Sequence, residues 1–207
     1  EKEPSLGGRV AQLNLYFPKL CPPGCGLEIV FKRLAANSRF RLLTSAEVIA
    51  VSGGEGSFEV VVSLKPTFVK ENCTGCGRCA EACPAERPNT FNFGLDRTKA
   101  IYLPHRLAFP YRYVIDGEAC WGPSCSRCAE ACPYGAIDLE MEPRTLFLKT
   151  GSVIWAAGWD PYDTARLGNY GGGRYPNVIT NMMLERMAAP DGPTSGKILR
   201  PSDRREP

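Results

Sequence analysis

Eight of the ten cysteines in this chain fall into two runs. The first is Cys73-Thr-Gly-Cys76-Gly-Arg-Cys79-Ala-Glu-Ala-Cys83-Pro84, a C-x2-C-x2-C-x3-C-P spacing without deviation. The second is Cys120-Trp-Gly-Pro-Ser-Cys125-Ser-Arg-Cys128-Ala-Glu-Ala-Cys132-Pro133, the same run with two extra residues in its first gap. Thiolates spaced this way ligate cubane 4Fe-4S clusters. Three near neighbours on a tight loop face one cube, and the fourth, at the start of a short helix, reaches across to the other. The expected ligand sets are Cys73, Cys76, Cys79 and Cys132 for one cluster, and Cys120, Cys125, Cys128 and Cys83 for the second. The chemistry of such a pair is electron transfer.

Two other uses of cysteine compete with this reading and fit less well. A disulfide framework suits small secreted domains, whereas 207 residues are enough for a real core and no segment reads as a signal peptide. Zinc sites pair two C-x2-C or C/H knuckles, with no use for a third cysteine two residues on or a fourth followed by Pro. Gly75, Gly77, Ser124 and Ser126 are small enough to let backbone curl around a cube and aim amide N–H groups at its sulfurs. Cluster thiolates are ordinarily kept in a reducing compartment, so a cytoplasmic location is expected.

Composition excludes other classes. A formal charge of +3 is too small to imply nucleic acid. No apolar run approaches the roughly 20 residues of a membrane span, with Val153 to Trp159 among the longest, so membrane association would come through a partner. The opening Glu1-Lys2-Glu3-Pro4 and the polar close from Arg200 to Pro207 read as the cut ends of a longer polypeptide.

Three regions position the cysteines. In 1–65, Gly7-Gly8-Arg9 opens a loop, and Leu27, Val30, Phe31 and Leu34 mark a helix around Leu27 to Ala36. Phe40 to Thr44 and Glu47 to Val51 read as short strands. Ser57 to Leu64 alternates as a half-buried strand, after a hairpin turn at Gly53-Gly54-Glu55-Gly56. Residues 66–143 hold the cysteine runs, with extended pieces at Lys99 to Leu103 and Arg112 to Ile115. The repeat Arg-Cys-Ala-Glu-Ala-Cys-Pro, at Arg78 and again at Arg127, supplies each half with a loop and a short helix. Tyr134 to Ile137 returns into a strand. In 144–207, strands are expected at Thr145 to Lys149 and Ser152 to Ala157, then a Gly-rich loop and a helix near Asn181 to Ala188. Strands on both sides of the block imply an insertion. The expected fold is mixed α/β, α+β in the block: a bacterial-type 2[4Fe-4S] ferredoxin-like domain at 66–143, inserted into an outer domain made of 1–65 and 144–207.

The outer residues carry a resemblance. Glu1-Lys2 followed by Gly7-Gly8-Arg9 looks like the end of the second Rossmann strand and the next loop of two-dinucleotide-binding flavoproteins. Val153-Ile154-Trp155-Ala156-Ala157-Gly158-Trp159-Asp160 looks like their later strand end, with Ala157 where Thr is usual. The chain as a whole is similar to the A-type subunit of heterodisulfide reductase and, more closely, to that of the quinone-interacting membrane-bound oxidoreductase. The most telling stretches are Gly7 to Asn14, Lys19 to Glu28, Lys99 to His105 and Gly173 to Thr180. The Cys21-Pro-Pro-Gly-Cys25 spacing and the widened Cys120 to Cys125 gap favour the quinone-linked branch.

The resemblance implies FAD beside the two 4Fe-4S clusters, in part of an FAD-binding Rossmann-like domain. It places Glu1 on the adenosine ribose, Gly7, Gly8 and Arg9 by the flavin or pyrophosphate, the Val48 backbone at adenine, and Gly158 and Asp160 on the flavin side. It also implies a multi-subunit redox complex, with a second flavoprotein, a membrane haem/quinone subunit and, as acceptor, adenylylsulfate reductase. The alternatives are the A-type subunit of heterodisulfide reductase proper and a flavin-free ferredoxin-type relay. Cys21 and Cys25 are either ligands or redox thiols near the flavin, or an unliganded pair in a Pro/Gly-stiffened loop. His105, the only histidine, reads as structural, and Trp155 and Trp159 as core. Met182, Met183 and Met187 with Leu184 form a packing face. Gly171-Gly172-Gly173 fits a cofactor loop or a plain turn, and Arg200, Arg204 and Arg205 read as solvated charge.

Overall fold

The stripe of Leu27, Val30, Phe31 and Leu34 winds into helix α1 (Gly24–Ala35). Its Phe31 is buried and stacks on Phe109, ring centroids 5.4 Å apart, while Val30 stays exposed. The alternating segment beyond forms a hairpin of β1 (Ala46–Gly54) and β2 (Ser57–Leu64). Its turn requires glycine: Gly53 sits at φ +90°, and a Cβ there would run into the Ser57 carbonyl. Val60 and Val62 point into the core, as the period of two demands. The computed structural model describes residues 1–207.

Phe40 to Thr44, expected as a strand, is irregular. Its backbone is held instead by the first residues of the chain: the Glu1 ammonium donates to the Leu43 carbonyl, and the Ser45 and Ala46 amides donate to the Glu3 and Glu1 carbonyls.

The cysteine block contributes α2 (Arg78–Ala82), short strands β3 (Glu86–Pro88), β4 (Arg97–Lys99), β5 (Ile101–Tyr102) and β6 (Val114–Ile115), and α3 (Arg127–Glu130). Beyond it lie β7 (Arg144–Thr150) and α4 (Asn181–Ala188). β2 pairs with both β1 and β7, all antiparallel, from Phe58↔Thr150 to Leu64↔Arg144 on the β7 side. Strands before and after the cysteine block therefore close on one another. A second closure ties the block's own ends, through the bridge Val69↔Ile137 and the Lys70 amide to the Ala136 carbonyl at 2.7 Å. The largest sheet is thus antiparallel, where the Rossmann resemblance led to expect parallel strands.

Ser152 to Ala157 is not a strand. No strand in 1–207 pairs with it, so its side chains have no face to cover: Ile154 is 89% and Trp155 70% exposed. Trp159 is exposed as well, and neither tryptophan is core.

The chain divides into two compact units. One comprises Glu1–Gly7, Phe31–Arg87 and Lys99–Ala157, and holds the sheet and the cysteine block. Its core under the block is Val69, Ile101, Ile115 and Ala136 together with Cys79 and Cys128. His105 belongs here, its Nε2 3.2 Å from the Leu6 carbonyl, a structural position as expected.

The other unit comprises Gly8–Val30, Pro88–Thr98 and Gly158–Pro207. Thr180 caps α4 by accepting from the Met183 amide, and Met182 and Met187 are its fully buried face, with Leu184 left exposed. Arg186 on α4 is buried, its Nε donating to Asn92 Oδ1 at 2.8 Å and its guanidinium lying 4.8 Å over the Phe91 ring. Arg204, expected as solvated charge, donates to the Leu95 and Pro193 carbonyls, because a guanidinium can cap two loops at once. Gly171-Gly172-Gly173 is a turn folded against the Tyr175 ring and Thr164. No helix is long and apolar enough to cross a membrane.

Candidate metal centre

The two cysteine loops owe their shape to residues that tolerate positive φ. Gly75 (φ +72°) and Gly77 (φ +87°) turn the first loop, and Gly122 (φ +78°) and Ser126 (φ +45°) the second. Gly77 and Ser126 are the residues from which α2 and α3 start. These left-handed turns swing the backbone back on itself, so that Cys79 and Cys128 enter the core from the first turn of each helix. Helices of five and four residues cannot stand alone in water, so packing and ligation must hold them.

Around Cys79 the neighbouring thiols are Cys73, Cys132 and Cys76, so the cysteine that closes the second run stands with the first three. Around Cys128 they are Cys120 and Cys83. Cys83, Cys120, Cys125 and Cys128 line one cavity, together with Pro84, Ala85, Gly122, Leu139 and Trp121. In both groups the fourth cysteine comes from the other half of the block. Trp121, which fills the widened gap, is 62% exposed at the cavity's edge, a place that no feature of its sequence neighbourhood marks.

Backbone N–H groups converge on the sulfurs. The Gly122 amide donates to Cys120 Sγ and the Ala136 amide to Cys132 Sγ, both at 3.4 Å. Burial pushes the Cys79 thiol up to about 12, the Ala80 amide pulls it down, and Cys73, Cys132 and Cys76 push it further up. Burial likewise raises Cys128, with Cys120 and Cys83 adding to it. Buried thiols crowded by others hold their protons, and ligation must displace them. An arrangement of thiols facing one space, with amide donors behind them, accommodates an anionic inorganic cluster.

The residues expected around FAD fall in both units. In the first unit, the Glu1 carboxylate accepts from the Glu3 amide and its carbonyl receives the Ala46 amide, at the start of the strand that carries exposed Val48. Gly7 is also there, at φ +117°. In the other unit the structure brings together Arg9 and Asp160, which are 151 positions apart, as an ion pair of 2.9 Å. Gly8 and Gly158, both at positive φ, have open space where a Cβ would stand. Cys21 and Cys25 are the only cysteines of that unit. Cys21 is held by a bridge to Tyr16, and Cys25 is exposed at the first turn of α1.

Residues 72–137 match the family model of the 4Fe-4S dicluster domain, and the chain carries such a domain. Over its full length the chain is homologous to larger proteins, all of them A-type iron–sulfur subunits of heterodisulfide reductases. It is 45% identical over 100% of its length to the first such CoB–CoM heterodisulfide reductase subunit of Methanopyrus kandleri. It is 46% identical to the corresponding subunit of Methanocaldococcus jannaschii. The counterpart from the ferredoxin:CoB-CoM heterodisulfide reductase of Methanosarcina mazei is 39% identical, again over 100% of the chain. The chain spans 31% of the length of the first two relatives and 26% of the third.

Proposed function

We propose that this chain is the iron–sulfur portion of an electron-transfer subunit in a heterodisulfide reductase-type complex. Cys73, Cys76, Cys79 and Cys132 hold one 4Fe-4S cube, and Cys120, Cys125, Cys128 and Cys83 hold the second. The observation that carries this reading is the exchange of the fourth cysteine between halves, in both groups. Bound cubes supply one-electron transfer. The chain's own residues desolvate the thiolates, donate amide hydrogen bonds to sulfur and set how far each cube lies from water.

A zinc scaffold fits less well. A tetrahedral zinc with Zn–S bonds of about 2.3 Å draws its sulfurs to within about 3.8 Å of one another. No three His, Cys, Asp or Glu side chains here are placed to hold a single ion.

The block at 66–143 is read as an insertion into a flavin domain formed by 1–65 and 144–207, and the pairing of β2 with β7 supports it. FAD would be held in the full-length protein, with Arg9, Asp160, Gly8 and Gly158 near the isoalloxazine or pyrophosphate and Glu1, Gly7 and Val48 toward adenosine. Electrons would pass between flavin, cubes and partner subunits on the cytoplasmic side.

Two readings of the complex are each favoured by an observation. The widened Cys120–Cys125 gap and the Cys21-Pro-Pro-Gly-Cys25 spacing favour the branch that links quinone to adenylylsulfate reduction. The relatives of 39–46% identity favour heterodisulfide reductase proper. Anaerobic purification of the full-length protein tests the common part: about eight irons and eight acid-labile sulfides per chain are expected, beside bound FAD. Colourless protein, or zinc in place of iron, overturns it. Co-purifying subunits, and reduction assayed with a quinol against a CoB–CoM disulfide, separate the two branches.

A further inference from the structure

Two tyrosines from outside the cysteine runs lie against the first loop and not the second. The Tyr111 ring packs so closely on Gly75, between Cys73 and Cys76, that a Cβ on that glycine would lie 2.5 Å from the ring edge. The Tyr113 hydroxyl stands 3.4 Å from where a Cβ on Gly77, between Cys76 and Cys79, would be. Tyr113 also packs against the core containing Cys79. Its phenol is raised by burial first, and then by Cys79, Tyr111, Cys76 and Cys73, all from this one side of the block. The cavity of the second group is bounded by neither tyrosine, and its aromatic neighbour, Trp121, is open to solvent.

We infer that Tyr111 and Tyr113 set the reduction potential of the first cluster alone, with opposite signs. The inference rests on the ligand sets proposed above. A reduced cluster carries one more negative charge than an oxidised one. A phenolic O–H aimed at its thiolates favours the reduced form, and a ring that keeps water away disfavours it. Tyr113 therefore raises the midpoint potential of the first cluster, and Tyr111 lowers it. Both are positioning residues: they act on the ligand loop and not on any substrate. The alternation of Tyr111 and Tyr113 along one extended stretch places ring and hydroxyl over successive turns of the loop. Gly75 and Gly77 are the openings they need.

Dithionite titration of the full-length holoprotein, followed by EPR, tests this with Tyr113→Phe and Tyr111→Ala. The wild type should show two cluster signals and about eight irons; fewer irons would overturn both the ligand sets and this inference. With iron content unchanged, Tyr113→Phe should shift one midpoint to more negative values and Tyr111→Ala the same midpoint to more positive values. The cluster that moves should be the one lost in Cys79→Ser, while the one lost in Cys128→Ser stays fixed. Unmoved midpoints, shifts of the same sign, or a shift of the second cluster would overturn the inference and leave the ligand sets standing. A Tyr111→Phe variant guards against misfolding: it keeps the ring, so its midpoint should match the wild type.

Discussion

Cys132 is the residue on which the site's logic turns. It closes the second run in sequence, yet it stands beside Cys79. Removing it should therefore empty the first cluster. Cys132→Ser and Cys79→Ser are expected to give one EPR spectrum, and Cys83→Ser and Cys128→Ser the other, each with about half the iron. If Cys132→Ser instead matched Cys128→Ser, each run would be binding its own cube. Arg186 matters at this scale for stability. It is the donor for buried Asn92 Oδ1, so Arg186→Leu leaves that oxygen without its 2.8 Å partner. A loss of about 1–3 kcal/mol is expected in denaturant titration of the holoprotein, with iron content unchanged.

At the scale of elements, the block and the sheet differ in what holds them. β2 is bonded on both edges and buries Val60 and Val62, so it keeps its hydrogen bonds without metal. α2 and α3 have five and four residues and owe their place to the thiols they carry. Stripping iron with a chelator should then release amide protection in Cys79–Ala82 and Cys128–Ala131 before any is lost in 58–64. Hydrogen exchange read by mass spectrometry checks the order; simultaneous loss would mean that block and sheet unfold as one. The same contrast explains Ser152 to Ala157. Its apolar residues suit a strand, but without a pairing edge they stay exposed, and composition could not reveal that no partner was at hand.

For the molecule as a whole, the proposed flavin site draws on residues far apart in sequence. Arg9 and Asp160 meet at 2.9 Å, with the guanidinium 6.0 Å over the Phe93 ring. An exposed pair of this kind adds at most about 1 kcal/mol to stability, so loss of its charge should hardly affect folding. In the full-length protein, Arg9→Met is expected to lower bound FAD per chain while leaving iron near eight and the melting temperature nearly unchanged. Unchanged flavin content would remove Arg9 from the proposed cofactor site.

The spacing of eight cysteines determined the cluster chemistry by itself, since ligand geometry is written in the gaps between neighbours. Period-two alternation located β2 to the residue, and a helical stripe located α1 and α4 to within a few positions. What only the tertiary structure decided are contacts between distant residues. Tyr111 and Tyr113 lie on the loop of Cys73 to Cys79, and nothing in Tyr-Arg-Tyr announces it. Arg204 is engaged on two carbonyls where its neighbourhood in sequence suggested open water. Trp155 is exposed although its own segment is apolar. Local spacing reports which atoms a short stretch can aim at one point. Burial depends on what the rest of the chain brings to the other side.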